Sequence, residues 1–198
     1  MKRLQFFLTL MISVLMVFPI SAYSNPAYQS KYSGQEMREI KSLSDQDIAE
    51  LKAGSGWGLA KAAELNGVPG PKHLLEMKDA IKLTSEQVLK IEETYALMNQ
   101  QAVTLGLELI ELERELNSHF ANRTVDEEIL KDLLEKIAQT YSELRYVHLS
   151  AHLKTPLILS PEQIKQYNML RGYSTDDPCV NIPEGHDPEM WRRHHNCP

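Results

Sequence analysis

Between Val88 and Leu116 the apolar side chains fall at Val88, Ile91, Tyr95, Met98, Ala102, Leu105, Leu109, Leu112 and Leu116. The steps alternate between three and four. Such spacing keeps one face of an α-helix apolar and leaves Glu, Gln, Arg and Asn on the others, and it predicts a helix of about 35 residues. The polar run "NSHFANRT" interrupts it. A second stripe then reads Leu130, Leu134, Ile137, Tyr141, Leu144 and His148, with Ala151 and His152 one turn on. Two long helices joined by a short polar turn make an antiparallel hairpin.

Shorter helices flank this hairpin. In "SLSDQDIAELKAG" Ser44 is placed to cap a helix, Asp45 and Asp47 lie in its first turn, and Gly54 ends it. Leu59, Ala60 and Ala63 make another short apolar face, which Asn66-Gly67 closes before the break Pro69-Gly70-Pro71. "LTSEQ" (Leu83–Gln87) and "LSPEQ" (Leu159–Gln163) are one phrase used twice, a hydroxyl residue three before a Gln after a Leu. This is a capping box with a hydrophobic staple, and it is structural. Behind the second copy, Pro161 fits the first helical position, Ile164, Tyr167 and Leu170 form a face, and Gly172 is a stop. No strand pattern occurs, so the expected class is all-α: a long antiparallel hairpin with shorter flanking helices, hook-like. Stripes this wide need more cover than one hairpin supplies, and a homodimer is the simplest closure.

Composition narrows the function. The chain has 198 residues, 42% of them hydrophobic and 24% charged, with a net charge of −6. That is enough apolar residue for a folded core, and the acidic balance argues against nucleic acid as a partner. The first residues carry Lys2 and Arg3, an apolar run from Leu4 to about Ile20, then Ala22 and Ser24 in a small-x-small pattern. We read residues 1–24 as an export signal cleaved after Ser24, favoured over an uncleaved membrane anchor because the apolar run is short for a span and carries Gln5, Thr9 and Ser13. Its loss takes the net charge from −6 to −8. The organisation expected is then an N-terminal segment with short helices over residues 25–72, a helical domain over 73–173 and an irregular tail over 174–198. Export places the only two cysteines, Cys179 and Cys197, in an oxidising space, where they form one disulfide or share a thiolate metal site with nearby histidines; the compartment favours the disulfide.

Candidate chemistry is concentrated in histidines. His148 and His152 are four apart and leave one helix face. They are either two ligands of one ion or two core histidines that need only hydrogen-bond partners. His73 and Met77 repeat the spacing just after Pro-Gly-Pro, with Glu76, Glu92 and Glu93 as available carboxylates. A thioether beside imidazoles suits softer ions. In the tail, His186, Met190, His194 and His195 form a possible second site, for which Asp187-Pro188 would start a short helix. There is no HExxH, no GxSxG, no P-loop and no dinucleotide fingerprint. A zinc hydrolase would also need a general base, and none stands at a recognisable spacing, so a non-enzyme is expected.

The hairpin, the export signal and the two phrases "LTSEQ" and "LSPEQ" together resemble the Spy/CpxP-like periplasmic family, which includes CnrX-type heavy-metal sensors and zinc-resistance-associated proteins. The resemblance covers His73 to Tyr173. It implies a hooked helical homodimer in the periplasm that either holds unfolded client proteins without ATP or binds zinc, copper, nickel or cobalt and reports it to a membrane signalling partner. The sensors' pattern, an H-x-x-x-H pair before the first motif, a Glu on the next helix and an H-x-x-x-M pair before the last, falls here on "HLLEM" and "HLSAH". It implies His73, Met77, His148 and His152 as ligands, with Glu93 or Glu92 as the carboxylate. The His and Met have exchanged places relative to that pattern. The expectation is an envelope-stress protein that binds a transition metal, with a periplasmic chaperone as the alternative.

Overall fold

Thr84 opens the longest element. Its hydroxyl accepts the Gln87 N–H at 3.2 Å, and the Gln87 carboxamide oxygen accepts the Thr84 N–H at 2.9 Å. The computed structural model describes residues 28–173, 179, 182, 184–195 and 197; the expected export signal, residues 1–24, lies outside them. By internal contacts the chain divides into residues 1–36 and residues 37–198. In the first unit the described part is a run of turns from Tyr28, in which the Glu36 carboxylate accepts the Gly34 N–H at 2.6 Å.

The second unit is all-α. Its helices are α1 (Asp45–Lys52), α2 (Lys61–Glu64), α3 (Pro71–Glu76), α4 (Ser85–Asn122), α5 (Glu127–Lys154), α6 (Pro161–Leu170) and α7 (Pro188–His194). Helices α4 and α5 form the hairpin. Every position of the first predicted stripe is buried or half-buried. The helix does not stop at "NSHFANRT". It runs to Asn122, because that stretch holds no proline or glycine, and ends where Arg123 turns left-handed at φ 57°.

The second stripe is displaced. Leu133, Thr140, Leu144, Val147, His148 and Ala151 are buried, whereas Leu134 and Tyr141 stay 48% and 40% exposed. The buried positions 133, 140 and 147 keep a seven-residue repeat, set one residue before the expected Leu134, Tyr141 and His148. Thr140 enters the seam because its hydroxyl donates to the Glu108 carboxylate at 3.2 Å. The Pro-Gly-Pro break is also the start of an element: Pro71 is the first residue of α3, behind an extended Gly70.

The short helices complete two cores. Leu51 of α1, Ile40, Leu43 and Leu59 join Met98, Leu109 and Leu144 of the hairpin. Leu74 of α3 and Tyr167 of α6 join Ile81, Ile91 and Leu159. Gly106 lets α1 come close, for a methyl there would meet the Leu51 carbonyl oxygen at 2.5 Å.

The repeated phrase does more than cap. Gln87 Nε2 donates to the Ile158 carbonyl and to Gln163 Oε1, and Gln163 Nε2 donates to the Lys82 carbonyl and to Gln87 Oε1. Each Oε1 also accepts its own cap N–H. Both carboxamides therefore use all four of their hydrogen-bonding positions. Lys82 and Ile158 each stand two residues before a cap, so the starts of α4 and α6 are joined almost symmetrically.

Glu64 at the end of α2 is a second junction. One of its oxygens accepts from Tyr167 Oη at 2.6 Å, Arg171 Nε at 3.0 Å and Tyr173 Oη at 3.3 Å. Tyr167 is fully buried. Burial, reinforced by the Glu64 carboxylate, keeps its phenol protonated far above the usual range.

Candidate functional site

Helix α5 carries His148 and His152 inward at 3% and 6% exposure. Both line a partly open cavity of about 230 Å³, walled also by the loop 53–58, by Tyr95 and Met98 of α4, by Lys61 and Glu64 of α2, and by Gly70 to His73 at the start of α3. The sequence placed both histidines on one face, and that face meets the cavity.

Hydrogen bonds fix the two outer imidazoles. His152 Nδ1 lies 2.8 Å from the Val68 carbonyl oxygen. A carbonyl only accepts, so Nδ1 carries the proton and neutral His152 keeps a lone pair on Nε2. The ring fits because residue 70 is glycine: a Cβ there would lie 2.8 Å from Nε2. His73 Nδ1 lies 2.8 Å from a Glu76 oxygen, which by the same logic places a proton on Nδ1 and, in a neutral ring, the lone pair on Nε2. That bond holds the Glu76 carboxyl below its ordinary range.

His148 differs. Its Nε2 is buried and has no hydrogen-bond partner. Burial, followed by the neighbouring His152, pushes its pKa down, so the ring is neutral at physiological pH. A buried nitrogen left unpaired costs about 1–3 kcal/mol, which makes it a position that a ligand would improve.

Other expected donors fall elsewhere. Met77 is the C-cap of α3, its N–H donating to the His73 carbonyl, and its side chain packs against the second core and does not line the cavity. Glu92 and Glu93 are exposed on α4 and do not line the cavity. Sequence reasoning missed Met98, which it took as a stripe residue only, and Glu64. Among the described residues no three His, Cys, Asp or Glu side chains stand close enough to hold one ion.

In the tail, Cys179 and Cys197 are bonded to each other, and α7 starts at Pro188 behind its cap Asp187. His186 and His195 pack against Trp191 at centroid distances of 4.8 and 4.3 Å, and His194 packs against His195 at 5.2 Å, while Met190 is 65% exposed. These are edge-on and tilted ring contacts. The disulfide suits an oxidising compartment. No described helix is long and apolar enough to cross a membrane.

Trp57 forms part of the cavity wall under constraint. It sits at φ 41°, a conformation rare for a bulky residue, between Gly54 and Gly58, which also have positive φ. Its indole N–H donates to Asp47 Oδ1 at 2.8 Å, while Asp47 Oδ2 takes the Ser44 N–H and hydroxyl. The hydrogen bond from the Ser44 hydroxyl, then that from Trp57, depresses the Asp47 pKa. A depressed carboxyl stabilises the fold above its unfolded pKa and loses that contribution as pH falls through the folded value. In a Trp191→Phe background, Trp57 emission is therefore expected to shift only below about pH 4. Asp47→Ala should abolish that transition and cost about 1 kcal/mol through the lost reciprocal half of the Ser44 capping box. An unchanged acid transition in the variant would dissociate Trp57 from Asp47.

Compared with models of known families, with curated proteins and with solved structures, the chain matches none.

Proposed function

We propose that the chain is an exported, periplasmic binding protein that takes a transition metal ion at His148 and His152, with His73 as a third donor and the Met98 thioether on the same wall. The observation that carries this reading is the partnerless, buried Nε2 of His148 beside the cavity. The donor set supports it. Ligating histidines usually give their other N–H to a carbonyl or a carboxylate, as His152 gives to Val68 and His73 to Glu76. Three imidazoles and a thioether suit zinc, copper, nickel or cobalt. His73 stands on α3 and the pair on α5, so ligation by all three draws α3 toward the hairpin. That couples occupancy to shape, as a sensor or resistance protein of the Spy/CpxP-like kind requires.

The test is metal content of protein purified without an affinity tag, then zinc, copper, nickel and cobalt titrations of wild type and His148→Ala/His152→Ala. Stoichiometric binding that weakens by about a hundredfold or more in the variant is expected, beyond what loss of an outer-shell group costs. Equal binding by both proteins would return the histidines to the core.

One feature favours a second reading, a chaperone for unfolded clients. A separate groove between α4 and α5 is lined by Leu97, Leu105, Tyr146 and Val147, and Tyr146 is 70% exposed. Exposed apolar surface of this kind is what a client, or the second copy of an expected homodimer, would cover. Failure to suppress aggregation of a denatured client at equal ratio would remove the chaperone.

A further inference from the structure

A bare ion fills this cavity badly. Its volume of about 230 Å³ compares with the roughly 10–15 Å³ that one water needs. The protein donors are also too dispersed to complete a coordination shell, since no three His, Cys, Asp or Glu among the described residues converge. His148 and His152 supply two imidazoles, four residues apart on α5, to the same cavity. The remaining positions, and most of the room, are left to something else.

Charge indicates what that is. Lys61 and Lys72 both line the cavity; among the described residues neither is in an ion pair, and the carboxylate that feels Lys72, Glu76, stands outside the lining and is bonded to His73. Glu64 is the lining carboxylate, and its charge is matched by Arg171, whose Nη2 lies 2.9 Å away. The histidines are neutral as ligands. The lining thus has a surplus of positive charge, which repels an aquated divalent ion and attracts carboxylates. Water in the open positions would leave that surplus unanswered. Trp57 and Tyr95 add flat apolar faces to the same wall.

We infer that the cavity takes its metal as a complex with a small carboxylate chelator, an amino acid or a hydroxy acid. His148 and His152 complete the metal's shell, and Lys61 and Lys72 bind the chelator's carboxylates. The inference rests on the metal-binding reading and names its ligand as a ternary unit. Protein and chelator share the ion, and neither strips it from the other.

Equilibrium dialysis tests this in a full-length chain with His186, His194 and His195 changed to Asn, which silences the tail. The three probes are Ni²⁺ alone, Ni²⁺ with labelled L-histidine, and Ni²⁺ with labelled citrate, each at equal ratio. The expected result is retention of one label in step with nickel. Which label is kept tells an amino acid from a hydroxy acid. Lys61→Ala/Lys72→Ala changes exposed side chains, and it should weaken retention of that label about tenfold or more, the scale of a charge-assisted hydrogen bond, without weakening Ni²⁺ alone. Nickel retained with neither label would overturn the inference and leave the metal site standing. A label retained equally by the lysine variant would overturn it too. No nickel retained in any arm would overturn the metal-binding reading itself, and His148→Ala/His152→Ala supplies the baseline for that outcome.

Discussion

Gly106→Ala is expected to destabilise the protein by about 1–3 kcal/mol, the usual cost of overpacking a core. Position 106 lies inside α4, where alanine would ordinarily gain about 1 kcal/mol over glycine. Sterics should win here. The added methyl would sit 2.5 Å from the Leu51 carbonyl oxygen and 3.0 Å from the carbonyl carbon. Both belong to backbone, which cannot swing aside as a side chain can. The only relief is to lift the end of α1 away from the hairpin, which uncovers Leu51 and loosens the loop 53–58 that walls the cavity. Urea denaturation measures the effect. A stability equal to or above wild type would mean that α1 does not lie against α4 at this point.

Glu64→Ala should cost about 3 kcal/mol, the low end of the range for removing one partner of a buried ion pair, because Arg171 keeps some contact with water. The carboxylate answers three donors at once. Without it the Tyr167 hydroxyl is left in a fully buried ring and the Arg171 charge loses its counterion. Tyr167→Phe should cost less, about 1 kcal/mol, since it removes one donor and keeps the ion pair. If the two losses fell in the reverse order, Glu64 would be incidental to the junction between α2 and α6. Thermal unfolding of both variants beside wild type decides it.

What could be read along the chain was what is encoded locally. The caps at Ser44, Thr84 and Ser160 each need only four neighbouring residues, and all three form as the sequence predicts. The Val88–Leu116 stripe was legible for the same reason, because its own periodicity carries the burial. The stripe on α5 was misplaced by one position in two turns. Leu134 and Tyr141 are as apolar as their neighbours, and nothing near Thr140 announces that Glu108, 32 residues away, will accept its hydroxyl. Glu64 had no local signal at all, since its partners lie 103 to 109 residues downstream. The candidate site divides in the same way. The shared face of His148 and His152 follows from spacing, and the glycine at position 70 that admits the His152 ring does not. Met77 keeps the backbone bond to His73 that its spacing implies, yet its side chain is drawn to the core around Leu74 and Tyr167, which no local pattern announces.

The interlocked glutamines bear on how the molecule opens. Helix N-termini ordinarily fray, and their first amide protons exchange with solvent independently of the rest. Here the first turns of α4 and α6 hold each other, although Gln87 and Gln163 are 76 residues apart in the chain. Neither end can unwind without breaking hydrogen bonds that also belong to the other. The two termini therefore form one opening unit, and Gln163→Ala should raise the exchange rate of the Gln87 amide as well as its own.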